Sequence, residues 1–243
     1  MAEKSKEQEL MERYEELKKR AERVSDIQTV ERLFNTYLQY YNLQHVDGIL
    51  STLALDQPDV SVEEAYSEVF EGREAVKNYF DCFRKLAGKP GILLEQHCVC
   101  PVIELAGDGK TAKLVCFSRG VKCVALAQSQ TYLAGRYYVD FIKQDDGTWK
   151  IWHLHWFEIY DSEVGKGFMY SQTTNQAEWM IPEMSDVFTA RANKPSTYWP
   201  VLFNPNASFD YIPEAPDPYE TYDGITALKR TRILQHFWDR NKY

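Results

Sequence analysis

Residues 135–160 read GRYYVDFIKQDDGTWKIWHLHWFEIY. Two runs rich in aromatic and β-branched residues flank Asp145-Asp-Gly147. A turn tripeptide between two strand-forming runs predicts an antiparallel hairpin, with strands over Gly135–Lys143 and Thr148–Tyr160. In the second strand, period-two geometry puts His153 and His155 on one face with Ile151 and Phe157. Trp152, Leu154 and Trp156 fall on the other. One hairpin upstream, Gly107-Asp-Gly-Lys110 joins the strands Gly91–Leu105 and Thr111–Ser118. This half of the chain is therefore an antiparallel meander.

Before the meander the apolar period changes to that of helices. Ser25 or Asp26 is placed to N-cap a helix in which Ile27, Val30, Leu33, Phe34, Tyr37, Leu38 and Tyr41 share a face. A short helix over Val46–Ala54 follows, then short strands at Val60–Val62 and Ser67–Phe70. A third helix over Arg73–Ala87 is stopped by Gly88-Lys-Pro-Gly91. The fold class is α+β, with helices covering one face of a curved, mostly antiparallel sheet. Three segments are expected: a charged leader helix over 1–25, the α+β core over 26–160, and a Pro- and aromatic-rich arm over 161–243. The arm would pack over the core or across a subunit, with a helix within Thr221–Trp238.

The chain has 243 residues and a formal net charge of −8. An acidic surface repels phosphate backbones, so nucleic acid is not an expected partner. No run reaches the roughly 18–20 apolar residues of a membrane helix, and the charged N-terminus has no apolar core of a signal peptide. A cytoplasmic protein without membrane contact is expected. Five cysteines, an odd number, fit reduced thiols. Neither a dinucleotide nor a mononucleotide phosphate loop occurs, nor a serine-hydrolase elbow.

Three strings carry a family resemblance: Val46-Asp-Gly-Ile-Leu50, Phe70-Glu-Gly-Arg-Glu-Ala-Val-Lys-Asn-Tyr-Phe80, and Lys143-Gln-Asp-Asp-Gly-Thr-Trp-Lys-Ile151. In this order over residues 26–160 they resemble the nuclear transport factor 2-like superfamily, in its SnoaL-like and scytalone dehydratase branch. The arm, with Pro213-Glu-Ala-Pro-Asp-Pro-Tyr-Glu-Thr221, resembles extensions on some members. The resemblance implies a cone-shaped sheet wrapped around a helix and enclosing one pocket. It also implies acid/base chemistry without a cofactor, no metal, a small-molecule substrate, and a dimer or trimer formed through the sheet.

The resemblance also nominates residues. His97, in Glu95-Gln-His97, matches a catalytic histidine of the dehydratase, and neutral imidazole is a competent base near pH 7. Tyr41 matches a pocket tyrosine that could donate to a developing oxyanion, and Tyr37 lies one helical turn away. Asp47 opens the second helix, where many SnoaL-like proteins carry Asp. Tyr138 matches a pocket Asn; Tyr137 must face the opposite way. Arg119 could bind an anionic substrate group, and His153 and His155 could orient or relay. Two departures stand out: Asn42 replaces an acidic residue, and no histidine lies between 111 and 135.

The expected function is a cofactor-independent lyase acting on a small hydroxylated aromatic or polycyclic compound. An isomerase or cyclase with a carboxylate base is the first alternative. A binding or assembly module whose interior is filled by its own side chains is the second.

Overall fold

The structure, a computed structural model, describes residues 5–64, 68–168, 187, 189–197, 202–206 and 212–224. The elements run α1 (Lys6–Asn42), α2 (Val46–Thr52), β1 (Ser61–Glu64), β2 (Val69–Glu71), α3 (Arg73–Leu86), β3 (Ile92–Leu105), β4 (Thr111–Val124), β5 (Ser129–Lys143) and β6 (Trp149–Glu163). The six strands form one sheet in the order β2-β1-β6-β5-β4-β3. β1 runs parallel to β6, and every other pairing is antiparallel. This is the mixed α+β architecture expected from the sequence, with a curved sheet that does not close. Among the described residues no helix is long and apolar enough to cross a membrane.

The leader and the first core helix are one element. A capping box at Ser5 and Gln8 starts α1, and no break follows at Ser25 or Asp26. The polar first half offers no side chain that stops a helix, so the helix runs through. Asp26 instead accepts hydrogen bonds from Lys143 Nζ and Trp149 Nε1, both at 2.9 Å, pinning α1 to the last hairpin. Only from Val30 onward does α1 bury a stripe: Val30, Phe34, Tyr37, Leu38 and Tyr41.

The strands are longer than the turn residues suggest. β4 and β5 continue through 119–134 and reverse at a single 3-10 turn, Ala125–Ala127. Gln128 takes the left-handed conformation there (φ 51°), a place more often filled by Gly or Asn. Without such a residue, the turn left no mark in the sequence.

Alternation along the strands gives the sheet two buried faces. The inner face packs on the helices and carries Leu114, Cys116, Tyr137, Val139, Leu154 and Trp156 of the main core. The outer face carries Val115, Tyr138 and Phe157, which form a separate cluster with Ile212 of the arm. A bulge sets the phase of β6. Asp140 pairs with His153 but Phe141 pairs with Ile151, so Trp152 has no partner. Ile151 thus faces the core while His153, His155 and Phe157 face outward. The expectation that Ile151 shares a face with the two histidines fails for this reason.

Arm residues 212–224 lie across the outer face, whereas Val187 joins the main core and Lys194 pairs with Val69 of β2. Gly107 N and Asp108 N donate to the carbonyls of Tyr219 and Glu220, and Phe203 N donates to the Ile159 carbonyl. Lys113 Nζ meets Asp223 Oδ1 at 2.6 Å, and Lys194 pairs with Glu71. Residues 221–224 are not helical; the rest of the helix expected within Thr221–Trp238 lies outside the described residues.

Candidate active site

The inner face holds a buried group of polar side chains. Glu64 ends β1 opposite Trp156 of β6. Its Oε2 accepts a hydrogen bond from the Tyr79 hydroxyl at 2.6 Å. The α1 tyrosines Tyr37 and Tyr41 close the same space, their ring centroids 6.1 Å apart. Burial drives the Glu64 carboxyl up to about 7, against the pull of the hydrogen bond from Tyr79. Burial, reinforced by the neighbouring carboxylate, raises Tyr37, Tyr41 and Tyr79 well above an ordinary phenol, so they stay protonated donors.

A second inner group adjoins it. Gln96 Oε1 accepts from the Tyr137 hydroxyl at 2.6 Å and from Ser118 Oγ at 2.9 Å. Asn42 fixes the backbone of Gln96 from α1: its Oδ1 accepts from Gln96 N at 2.8 Å, and its Nδ2 donates to Gln96 O at 2.9 Å. The departure at Asn42 therefore has a structural role, because its amide both donates and accepts in this pair, which an ionised carboxylate cannot do. Gly135 is required here: a Cβ would sit 2.4 Å from Trp156 Nε1, whose indole covers the site.

Of the sequence-derived candidates, Tyr37 and Tyr41 are brought to this interior. His97 is not. Gln96 takes the inward position on β3, so His97 points outward with its side chain 57% exposed, and its Nε2 lies 3.0 Å from Glu95. Asp47 is also outside. It is bound to Arg84 of α3 at 2.5 Å, and that hydrogen bond and charge hold its carboxyl below the usual range. Arg119 is exposed at the far end of β4 beside Tyr160, bordering an outer cleft with Tyr132 and Phe168.

Tyr138, His153 and His155 come together, but on the outer face. The Tyr138 hydroxyl donates to Asp140 Oδ1 at 2.7 Å, and His153 Nδ1 lies 3.0 Å from Asp140 Oδ2. The arm's Tyr222 donates to that oxygen at 2.9 Å. His155 Nδ1 lies 3.2 Å from Glu63 Oε2. Glu63 in turn accepts from Thr197 N at 2.9 Å and from the Thr197 hydroxyl. Burial would raise Glu63, but His155 and Thr197 outweigh it and leave the carboxyl lowered. Among the described residues no three His, Cys, Asp or Glu side chains converge as a metal site requires.

Sequence reasoning missed Glu64, Tyr79 and Gln96. Val62-Glu-Glu64 shows two carboxylates and no sign of which one turns inward. Gln96 and His97 differ only by strand phase. Tyr79 was legible as a buried helix position, but nothing tied it to an acid.

Residues 22–155 match a family model described as a SnoaL-like domain. The chain is similar in structure to a scytalone dehydratase-like protein of Novosphingobium aromaticivorans, with 15% identity, 60% of this chain and 97% of that one covered, and a TM-score of 0.50. It is likewise similar to the hexachlorocyclohexane dehydrochlorinase LinA-type3 of Novosphingobium barchaimii, with 12% identity, 60% and 94% covered, and a TM-score of 0.50. A nuclear transport factor 2-like superfamily protein of Salmonella enterica aligns at 18% identity over 59% of this chain and 98% of its own, TM-score 0.48. At these identities the likeness speaks for the fold. No curated protein sequence matches the chain significantly.

Proposed function

The chain belongs to the SnoaL-like domain family, and on that premise we propose that it is a cofactor-independent lyase or isomerase in which Glu64 carries the proton. The substrate is a small hydroxylated aromatic or polycyclic compound with a carbon acid beside a carbonyl. The dehydratase and dehydrochlorinase among its structural relatives agree with this class of chemistry. One observation carries the reading: a carboxyl buried on the inner face, poised near 7, among tyrosines that remain protonated.

A base poised near the working pH is half ionised and still able to return its proton, which is what transfer at carbon requires. Glu64 takes the proton from the carbon. Tyr37 and Tyr41 donate to the oxygen where negative charge develops. Tyr79 holds the carboxylate in place at 2.6 Å. The proton is then returned to the same carbon framework in an isomerisation, or passes from Glu64 to a departing β-hydroxyl, which leaves as water in a dehydration. A carboxylate base brings the reading nearer to an isomerase than His97 would, because the imidazole lies outside the cone.

The test is proton exchange at the α-carbon of 2-tetralone in D2O, followed by NMR. Exchange above background is expected from the wild type and from His97→Ala. Glu64→Gln is expected to lower it by about 10²–10⁴-fold. Exchange that survives Glu64→Gln overturns the assignment. The competing reading, a filled interior, draws on the aromatic packing of Phe34, Tyr37, Tyr41 and Phe80; it is favoured if 2-tetralone neither exchanges nor perturbs the Tyr and Trp resonances.

A further inference from the structure

The inner face does not end at the Glu64 group. Four ladder steps further along β6, past the bulge at Ile159, Asp161 turns inward opposite Leu133 of the core. Its Oδ2 meets Lys122 Nζ at 2.9 Å, with the two side chains 1% and 8% exposed. Thr131 stands opposite Lys122 on β5. Two atoms of this trio, Asp161 Oδ1 and Thr131 Oγ1, are buried and have no hydrogen-bond partner. A buried polar atom left unmet is costly, so a trio that keeps two of them on adjacent strands is built to receive something.

We propose that Thr131, Asp161 and Lys122 form a subsite for a hydroxyl group at the far end of the substrate. This rests on the reading of the inner face as an active site. The chemistry of the unmet atoms selects the group. Asp161 Oδ1 can only accept, whereas the Thr131 hydroxyl is able to donate. A substrate hydroxyl answers both at once. An anionic group is disfavoured because Asp161 already neutralises Lys122, and a bare hydrocarbon leaves both atoms unmet.

Separation then sets the substrate's size. Four ladder steps at about 3.3 Å each put the subsite about 13 Å from Glu64 along the strand. Allowing about 3 Å for contact at each end leaves about 7 Å between the reacting carbon and the hydroxyl oxygen. That is the span of about two fused rings. The Trp156 indole, lying over Gly135 between the two ends, offers the flat surface on which such rings stack.

Binding of 2-naphthol and of naphthalene, measured by ligand-observed NMR, tests this. Wild type is expected to bind 2-naphthol about tenfold more tightly. Thr131→Val, which keeps the shape and removes the hydroxyl, should bring the two ligands to within about twofold by weakening only 2-naphthol. Glu64→Gln should leave the preference intact. Equal affinities in wild type, or binding of neither ligand because the trio holds an ordered water only, overturns the proposal. So does a preference that survives Thr131→Val and vanishes in Glu64→Gln; that outcome spares Glu64 as the reactive group. The converse, a Thr131-dependent preference with tetralone exchange indifferent to Glu64, spares the subsite and sinks the proton carrier.

Discussion

Glu63 and Glu64 are neighbours in the chain and opposites in behaviour. Glu64 turns to the inner face, where its partners are neutral tyrosine hydroxyls, and burial drives it up to about 7. Glu63 turns to the outer face, where His155 and Thr197 meet it, and it ends lowered. Both are buried. Burial alone therefore does not decide proton affinity; what the carboxylate meets after losing water does. The same contrast separates the two faces as a whole. The outer face satisfies its carboxylates with histidines, lysine and the arm, as a structural surface should. The inner face leaves an acid on the edge of ionisation among protonated phenols, as a site for proton transfer should.

The largest effect should come from the inner ion pair. Lys122→Met leaves Asp161 buried without its cation and is expected to cost about 3–5 kcal/mol in chemical denaturation. A loss below about 1 kcal/mol would mean that water reaches Asp161, and the contrast between the faces would weaken at that end of the sheet.

Next come the two glutamates, whose pH profiles should slope in opposite directions. The folded-state carboxyl of Glu64 lies above its unfolded value of 4.5. Between about 4.5 and 7 the unfolded chain gives up this proton while the folded protein keeps it. Stability from this group is full below 4.5 and falls as pH rises toward 7, by on the order of 3 kcal/mol. Glu64→Gln should remove that slope and make the variant more stable than wild type at pH 8, even as exchange activity is lost. Glu63 is lowered, so its contribution is present above 4.5 and is lost as pH falls through its folded value. Glu63→Gln should flatten only the acid limb. Denaturation midpoints from pH 3 to 8 for the three proteins decide the matter; parallel curves would erase the distinction between the faces.

A smaller effect belongs to the arm. Tyr222 donates to Asp140 at 2.9 Å and stacks near Trp152, with ring centroids 4.7 Å apart. Tyr222→Phe keeps the ring and removes the hydroxyl, at a cost of about 1 kcal/mol. Limited proteolysis should then cut within 189–224 severalfold faster while the core resists. Unchanged cleavage would assign arm docking to Lys113–Asp223 and the backbone bonds at Tyr219 and Glu220.

The fold was legible because its signals are local. Helical and strand periods, Asp145-Asp-Gly147 and the Gly107 turn each name an element without outside help. The site was legible only where periodicity and place agreed, as for Tyr37 and Tyr41 on the buried stripe of α1. It was illegible where strand phase decides. One bulge, at Trp152, sets which residues of β6 face inward, and Gln96 rather than His97 is turned in by its hydrogen bonds to Asn42 across 54 residues. Phase is fixed by pairing with distant chain, and single-strand patterns do not contain it. Glu64 was hidden for a related reason: its proton affinity arises from burial under side chains such as Tyr37 and Tyr79, brought to it by two different helices.

The smallest expected effect is the most telling about phase. His97 and Asp47 have the residue types of an acid/base pair, and both lie outside the cone, held by Glu95 and Arg84. Asp47 gains little from its ion pair because water and salt screen so exposed a contact. His97→Ala and Asp47→Ala should each leave the melting temperature and the tetralone exchange rate at wild-type values. If His97→Ala instead removes exchange while Glu64→Gln does not, β3 must slip by one residue against β4 in the active protein. Such a slip would turn His97 inward, carry Gln96 to the surface, and break both bonds to Asn42. Asn42→Ala separates the two cases: it should loosen β3 and destabilise the protein where Asn42 holds Gln96, and be silent in the slipped register.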